Sequence, residues 1–170
     1  MSSPSDAFFQ QVGNISALAT ICEVKMRILA DNNKPLKHLA HAKRLEDVEN
    51  AIIKSFEKYL TVDEASRLKA GRVIRNKVLH GDFEAASIKL EEIETGKQSK
   101  PEGMVLEVNT GELRDIGSKP IKSSSIFEWL IAVATTGFFP LSMDVLEKNL
   151  STINRLLEQT SKGEITPGPL

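Results

Sequence analysis

Residues 61–81 read TVDEASRLKAGRVIRNKVLHG, and they carry the start and stop signals of a single α-helix. Thr61 and Glu64 have the spacing of a capping box, in which each side chain satisfies a backbone N–H group at the start of a helix. Gly81 suits the other end, because glycine readily adopts the backbone conformation that follows a last helical turn. The sequence therefore predicts a helix over residues 62–80.

The rest of the chain is also patterned mainly for helices. Apolar residues recur in steps of three and four from Phe8 to Leu29, with Ser5 as the N-cap of that first helix. This helix is apolar over so much of its circumference that two readings stay open, plain core packing and a dimer seam. Pro35 is suited to begin the next helix. Besides residues 62–80, helices are predicted over residues 5–30, 35–60, 82–94, 123–136 and 141–161.

A different pattern interrupts the helices near the middle of the chain. Residues 104–108 and 112–116 resemble short strands, and Asn-Thr-Gly at 109–111 is suited to a turn between them. We therefore predict one all-α domain over residues 1–170, with five or six helices and a small β-hairpin inserted at about 103–117. Residues 163–170, rich in glycine and proline, are predicted to be a frayed tail.

Composition narrows the class of protein. The chain has 170 residues and a formal net charge of -1, so it is not a globally basic nucleic-acid binder, although a local basic patch remains possible. Cys22 is the single cysteine, which points to a reducing compartment. No apolar run approaches the ~20 residues that span a bilayer. The prediction is a cytoplasmic protein without a membrane partner, and common nucleotide-binding loops are absent from the sequence.

The helix at 62–80 carries the most informative side chains. Arg72, Asn76 and His80 lie four residues apart and stack along one stripe, with Arg75 on the neighbouring stripe. Lys69, Arg72 and Lys77 add positive charge that suits RNA binding. The ordinary alternative is that the arginines pair with acids while the histidine caps the helix end.

The arrangement Arg75-Asn76-x-x-x-His80, followed by Gly81, resembles the signature of the HEPN family (higher eukaryotes and prokaryotes nucleotide-binding domains). The resemblance implies an all-helical bundle, usually dimeric, and in many members a metal-independent ribonuclease of a toxin–antitoxin or phage-defence system. Arg75, His80 and Asn76 would then be the catalytic residues. Lys69, Arg72 and Lys77 are the RNA-binding candidates, and an antitoxin protein is a possible partner.

The chemistry of such a site needs two proton-transfer groups. Cleavage without a metal requires a base for the ribose 2′-hydroxyl, an acid for the leaving oxygen and positive charge at the phosphorus centre. One chain supplies a single motif histidine, so the prediction is a homodimer that shares its site. His38 and His41 have a spacing that two metal ligands can adopt, but no further ligand supports them, so neither a metal nor a cofactor is predicted. The rival hypothesis is a catalytically inactive helical interaction module.

Overall fold

The computed structural model describes residues 4–80, 104–107, 112–115, 120–121 and 138–170. Four α-helices dominate this part of the chain, which supports the all-α class. They are α1 (Pro4–Asn32), α2 (Leu45–Ser55), α3 (Val62–His80) and α4 (Phe139–Ser161). Short 3-10 helices at Lys37–Leu39 and Glu57–Tyr59 stand before and after α2. The helices predicted over residues 82–94 and 123–136 lie outside the described residues.

The second helix begins about ten residues later than predicted. Pro35 does not open it, and a 3-10 turn leads instead to a true start at Leu45. The reason is a long-range contact: Arg27 on α1 donates from Nη1 to the carbonyl oxygens of Ala40 and Ala42, at 3.1 and 2.8 Å. Because a side chain donates hydrogen bonds to these carbonyl oxygens, they do not require the backbone hydrogen bonds of an α-helix.

Within the described residues the hydrophobic core has two parts, and α1 and α4 pack along both of them. The first part joins the C-terminal half of α1 to α2 and α4 through buried residues that include Leu29, Ile52, Phe56, Ile153 and Leu156. The second joins the N-terminal half of α1 to α3 and the start of α4, with buried Phe8, Ile15, Ile74, Phe138 and Phe139. α3 therefore lies against α1 and α4, with α2 along its side.

The C-terminal tail is docked, unlike the frayed tail that its composition predicts. Ile165 is buried in the first part of the core. Gly168 donates its backbone N–H to the carbonyl oxygen of Ser55, at 2.7 Å. Gly163, with φ of 70°, makes the left-handed bend that turns the chain back after α4.

Three short strands lie between α3 and α4 in sequence. β1 (Met104–Glu107) pairs antiparallel with β2 (Glu112–Asp115), and β2 pairs antiparallel with β3 (Pro120–Ile121). The register places Met104 opposite Asp115 and Glu107 opposite Glu112. Residues 108–111 lie outside the described residues, so the Asn-Thr-Gly turn of a hairpin remains a prediction.

Candidate functional site

The N-terminal end of α3 is fixed by the capping box. Thr61 donates its backbone N–H to Glu64 Oε2 at 2.9 Å, and Glu64 donates its own to Thr61 Oγ1 at 3.1 Å. Arg155 on α4 binds both oxygens of Glu64, at 2.6 and 3.1 Å, and also donates to the carbonyl oxygen of Tyr59. Partial burial acts to raise the pKa of Glu64, but the hydrogen bonds from Arg155 and Thr61 lower it overall. A charged carboxylate thus ties α3 to α4.

The middle of α3 approaches α4 closely because residue 71 is glycine. Asn149 on α4 donates from Nδ2 to the carbonyl oxygen of Arg67, at 2.7 Å. A Cβ atom at Gly71 would lie 2.7 Å from that same nitrogen, which is too close for any real contact. Glycine at position 71 allows the short distance between α3 and α4. This distance in turn determines where Arg72 and Arg75 lie.

Arg75 faces α1, where Glu23 holds its guanidinium. Arg75 Nε lies 3.3 Å from Glu23 Oε2, and 39% of the Arg75 side chain is exposed. Arg27 approaches the other oxygen, with Nε and Nη2 at 3.3 and 3.2 Å from Glu23 Oε1. Because Arg27 is itself bound to two backbone carbonyls, Glu23 is held in place from both sides. The result is a rigid line of contacts from the loop before α2, through α1, to Arg75.

Arg72 faces α2, where Glu49 and Glu46 meet it. Its Nε donates to Glu49 Oε1 at 3.4 Å. Glu49 Oε2 lies 3.3 Å from the same nitrogen but accepts no hydrogen bond, so it has only the charge contact. Glu46 Oε1 lies farther away, at 3.7 Å from Arg72 Nη2. Glu49 is 1% exposed, and this burial raises its pKa to about 7, against the opposing effect of Arg72.

Asn76 and His80 lie on the outer surface of α3, and both are exposed. His80 lies five positions after Arg75, which on an α-helix is about 140° of rotation and ~7.5 Å of rise. Arg75 therefore faces α1 while His80 faces away from the core. Of the RNA-binding candidates, Lys69 is exposed, whereas Lys77 and Arg72 are partly buried. The sequence predicts that Arg75, Asn76 and His80 lie on neighbouring stripes of one helix face. In the structure of one chain, Arg75 faces α1 while Asn76 and His80 face outward.

A small cavity lies beneath the two arginines, where the four described helices meet. Its volume of about 10 Å³ is room for roughly one water molecule, so it cannot hold a nucleotide. Its lining includes Arg72 and Arg75 together with Asn149 and Cys22. Burial raises the pKa of the Cys22 thiol to about 11, and its Sγ donates to the carbonyl oxygen of Leu146 at 3.6 Å. Cys22 is therefore a protonated core residue and not a nucleophile.

Sequence reasoning missed the acids that hold the arginines. A signal was present for Glu49, which falls four residues after Leu45 and three before Ile52, on the buried face of α2. An acid on an apolar face needs a cation, and the arginines of α3 are the available cations. Glu23 has a weaker signal, its i, i+4 spacing from Arg27. Neither spacing indicates that Glu23 contacts Arg75.

No protein-family model, curated protein or solved structure matches the chain. None of the helices in the described residues has the length and apolarity that crossing a membrane requires.

Proposed function

We propose that this protein is a metal-independent endoribonuclease of the HEPN type, which cleaves RNA by attack of the ribose 2′-hydroxyl at a site shared between two copies. The observation that carries the proposal is the state of Arg75. Glu23 holds its guanidinium near the surface, and 39% of the side chain is exposed. An arginine that binds a phosphate must be both oriented and accessible, and Arg75 meets both conditions.

Each motif residue has a chemical role that suits its position. The contact with Glu23 is made by Nε of Arg75, which leaves Nη1 and Nη2 as the atoms that would bind a phosphate. His80 is exposed, and histidine is the side chain best suited to transfer protons near neutral pH. Asn76, one turn before His80, would orient the ring. The expected product is a 2′,3′-cyclic phosphate.

A second copy is needed because one chain divides the groups. His80 and Arg75 of a single α3 face different directions, so a phosphate bound to one Arg75 would meet the His80 of a second chain packed beside it. Two copies also supply both the acid and the base. Lys69, Lys77 and Arg72 are the residues proposed to contact the RNA backbone, and Glu49 and Glu46 compensate much of the charge of Arg72. A toxin–antitoxin or phage-defence setting, with an antitoxin protein as partner, forms part of the proposal.

The second candidate function is a catalytically inactive helical interaction or regulatory module. Its supporting observation is that Arg72 and Arg75 both contact glutamates of their own chain, the ordinary structural role of an arginine on a helix. Under this alternative, the exposed Asn76 and His80 belong to a surface that binds another protein.

Single substitutions distinguish the two functions. Cleavage of a mixed-sequence RNA pool is measured for the wild type and for His80→Ala, with His41→Ala, an exposed histidine off the motif, as the matched control. We expect His80→Ala to lower the rate by ~10²–10⁴-fold, as for loss of a general acid or base, while His41→Ala keeps the wild-type rate. Arg75→Ala should cost a comparable factor, and Arg75→Lys should restore only part of it, because an ammonium lacks the planar fork. Asn76→Ala should be milder.

Two further measurements complete the test. Activity should survive EDTA, since no metal takes part in the proposed chemistry, and thermal melting should show that the His80 and Asn76 variants stay folded. If the wild type cleaves nothing in the pool, or if His80→Ala cleaves as fast as His41→Ala, the ribonuclease proposal is wrong and the interaction module takes its place.

A further inference from the structure

The outer face of α1 carries an apolar stripe that no described part of the chain covers. Ala17, Ile21, Val24 and Ile28 follow one another at steps of four, three and four, and all four are exposed. The exposed fractions of the three large side chains are 44%, 50% and 44%. The core face of the same helix, with Ile15, Cys22 and Leu29, lies on the opposite side. We call the four exposed residues the α1 stripe.

The spacing of the α1 stripe is that of a coiled-coil seam, in which residues four and three apart meet a second helix. Three large aliphatic side chains in one row are unfavourable in water, at roughly 25 cal/mol for each Å² left uncovered. Glu23, which holds Arg75, lies on a different face of α1. A helix bound to the stripe therefore leaves the contact between Glu23 and Arg75 intact.

The sequence of the stripe fits a second copy of itself in the antiparallel direction. If Ile21 faces Val24 of the second copy, then Ala17 faces Ile28 of the second copy, so a small side chain meets a large one. The same register brings Asn14 opposite Asp31 of the second copy, where an amide can donate to a carboxylate. A parallel pair would instead place Asp31 beside Asp31 and Ala17 beside Ala17. Charge and size both favour the antiparallel arrangement.

We propose that the α1 stripe is a self-association surface, through which two copies pair as antiparallel helices about a two-fold axis between Ile21 and Val24. In this register residue 13 faces residue 32, so about 20 residues of each helix overlap along roughly 30 Å. An overlap of this length is short for a protein interface, so we expect a reversible association. This contact is distinct from the contact between α3 helices that the ribonuclease proposal needs, and a chain with both contacts would assemble beyond a dimer.

The test uses two charge substitutions on the full-length chain, Ile21→Lys and Val24→Glu, with mass measured by sedimentation at 100 µM. In a pair of identical Ile21→Lys chains, each new lysine faces Val24 of the other chain. In a pair of identical Val24→Glu chains, each new glutamate faces Ile21 of the other chain. A mixture of the two forms a hybrid in which the lysine faces the glutamate while Val24 of one chain still faces Ile21 of the other. We expect each variant alone to have a lower mass than the wild type, down to that of the monomer if the α1 stripe is the sole contact, and the mixture to recover the wild-type mass. Val62→Glu, on an 83% exposed valine of α3, is the control and should behave as the wild type.

Each other outcome overturns the proposal. A monomeric wild type means that the α1 stripe is bare or is covered by a different protein. Variants that keep the wild-type mass mean that any association uses another surface, such as α3. Failure of the mixture to recover the mass excludes the antiparallel register, because in a parallel pair the lysine and the glutamate do not meet. The result is independent of catalysis, since the substitutions lie outside the Arg75 and His80 motif.

Discussion

Glu49 is a buried carboxyl group whose pKa is changed by its burial. Burial raises its pKa to about 7, against the opposing charges of Arg72 and Lys69, and the like charge of Glu46 adds to the rise. An acid whose pKa is higher in the folded state stabilises the fold most at low pH. That contribution is complete below about 4.5 and is lost as the pH rises through about 7.

Glu49→Gln should remove this pH dependence. Between pH 5 and pH 8 the unfolding free energy of the wild type should fall relative to that of the variant, by on the order of 3 kcal/mol. Urea denaturation of both proteins at the two pH values measures the difference. Glu46→Gln is the control, because Arg44 lowers the pKa of the partly exposed Glu46, so its effect has the opposite sign and falls mostly below pH 5, outside the measured range. Equal pH slopes for the wild type and Glu49→Gln would show that Glu49 stays ionised throughout.

At the scale of helices, Gly71 controls how closely α3 approaches α4. In Gly71→Ala the new methyl group forces Asn149 aside and breaks its bond to the carbonyl of Arg67. We expect a loss of about 1–3 kcal/mol in unfolding free energy, measured by chemical denaturation. Gly13→Ala is the matched control, since nothing lies within 4 Å of a Cβ there, and alanine in α1 should stabilise by roughly 0.5–1 kcal/mol.

The role of Asn149 is checked by repeating the substitution without it. Gly71→Ala in an Asn149→Ala background should cost less than it does in the wild type, because the atom that the methyl group meets is gone. An unchanged cost would mean that the helix, and not Asn149, resists the methyl group.

Local sequence signals predicted the bounds of α3 correctly but not the start of α2. Thr61 and Glu64 form the capping box that their spacing predicts, and α3 spans Val62–His80 as expected. The start of α2 was wrong because it depends on Arg27, an arginine thirteen residues before Ala40 whose donors replace a helical ladder. Capping is decided within four residues, whereas this contact is decided by the packing of α1.

The candidate site shows the same division between local and distant causes. The exposure of Asn76 and His80 follows from helical periodicity, which the sequence contains. The acid that holds Arg75 comes from α1, and the acids that hold Arg72 come from α2, so they become visible only when the helices are packed. For that reason the sequence could name the arginines without revealing that they point to two different helices.

At the scale of the whole molecule, residues 163–170 after α4 pack against the C-terminal end of α2. Ile165→Ala should lower the unfolding free energy by about 2 kcal/mol, because it empties a buried site. Thr166→Ala, on an exposed neighbour, should change it by less than about 0.5 kcal/mol. Thermal or urea unfolding measures both. If Ile165→Ala had the same unfolding free energy as the wild type, Ile165 would not contribute to the core in solution.

The pairing of α1 with α4 also has a consequence during protein synthesis. The ribosome makes α1 first, and the chain then runs from Asn32 to Phe139 before α4 begins. At ~5–20 residues per second, the delay is on the order of ten seconds. Throughout that time the face of α1 that α4 will cover is open to solvent and to the cellular machinery that binds nascent apolar segments. The packing of α1 is therefore completed only when α4 has been synthesised.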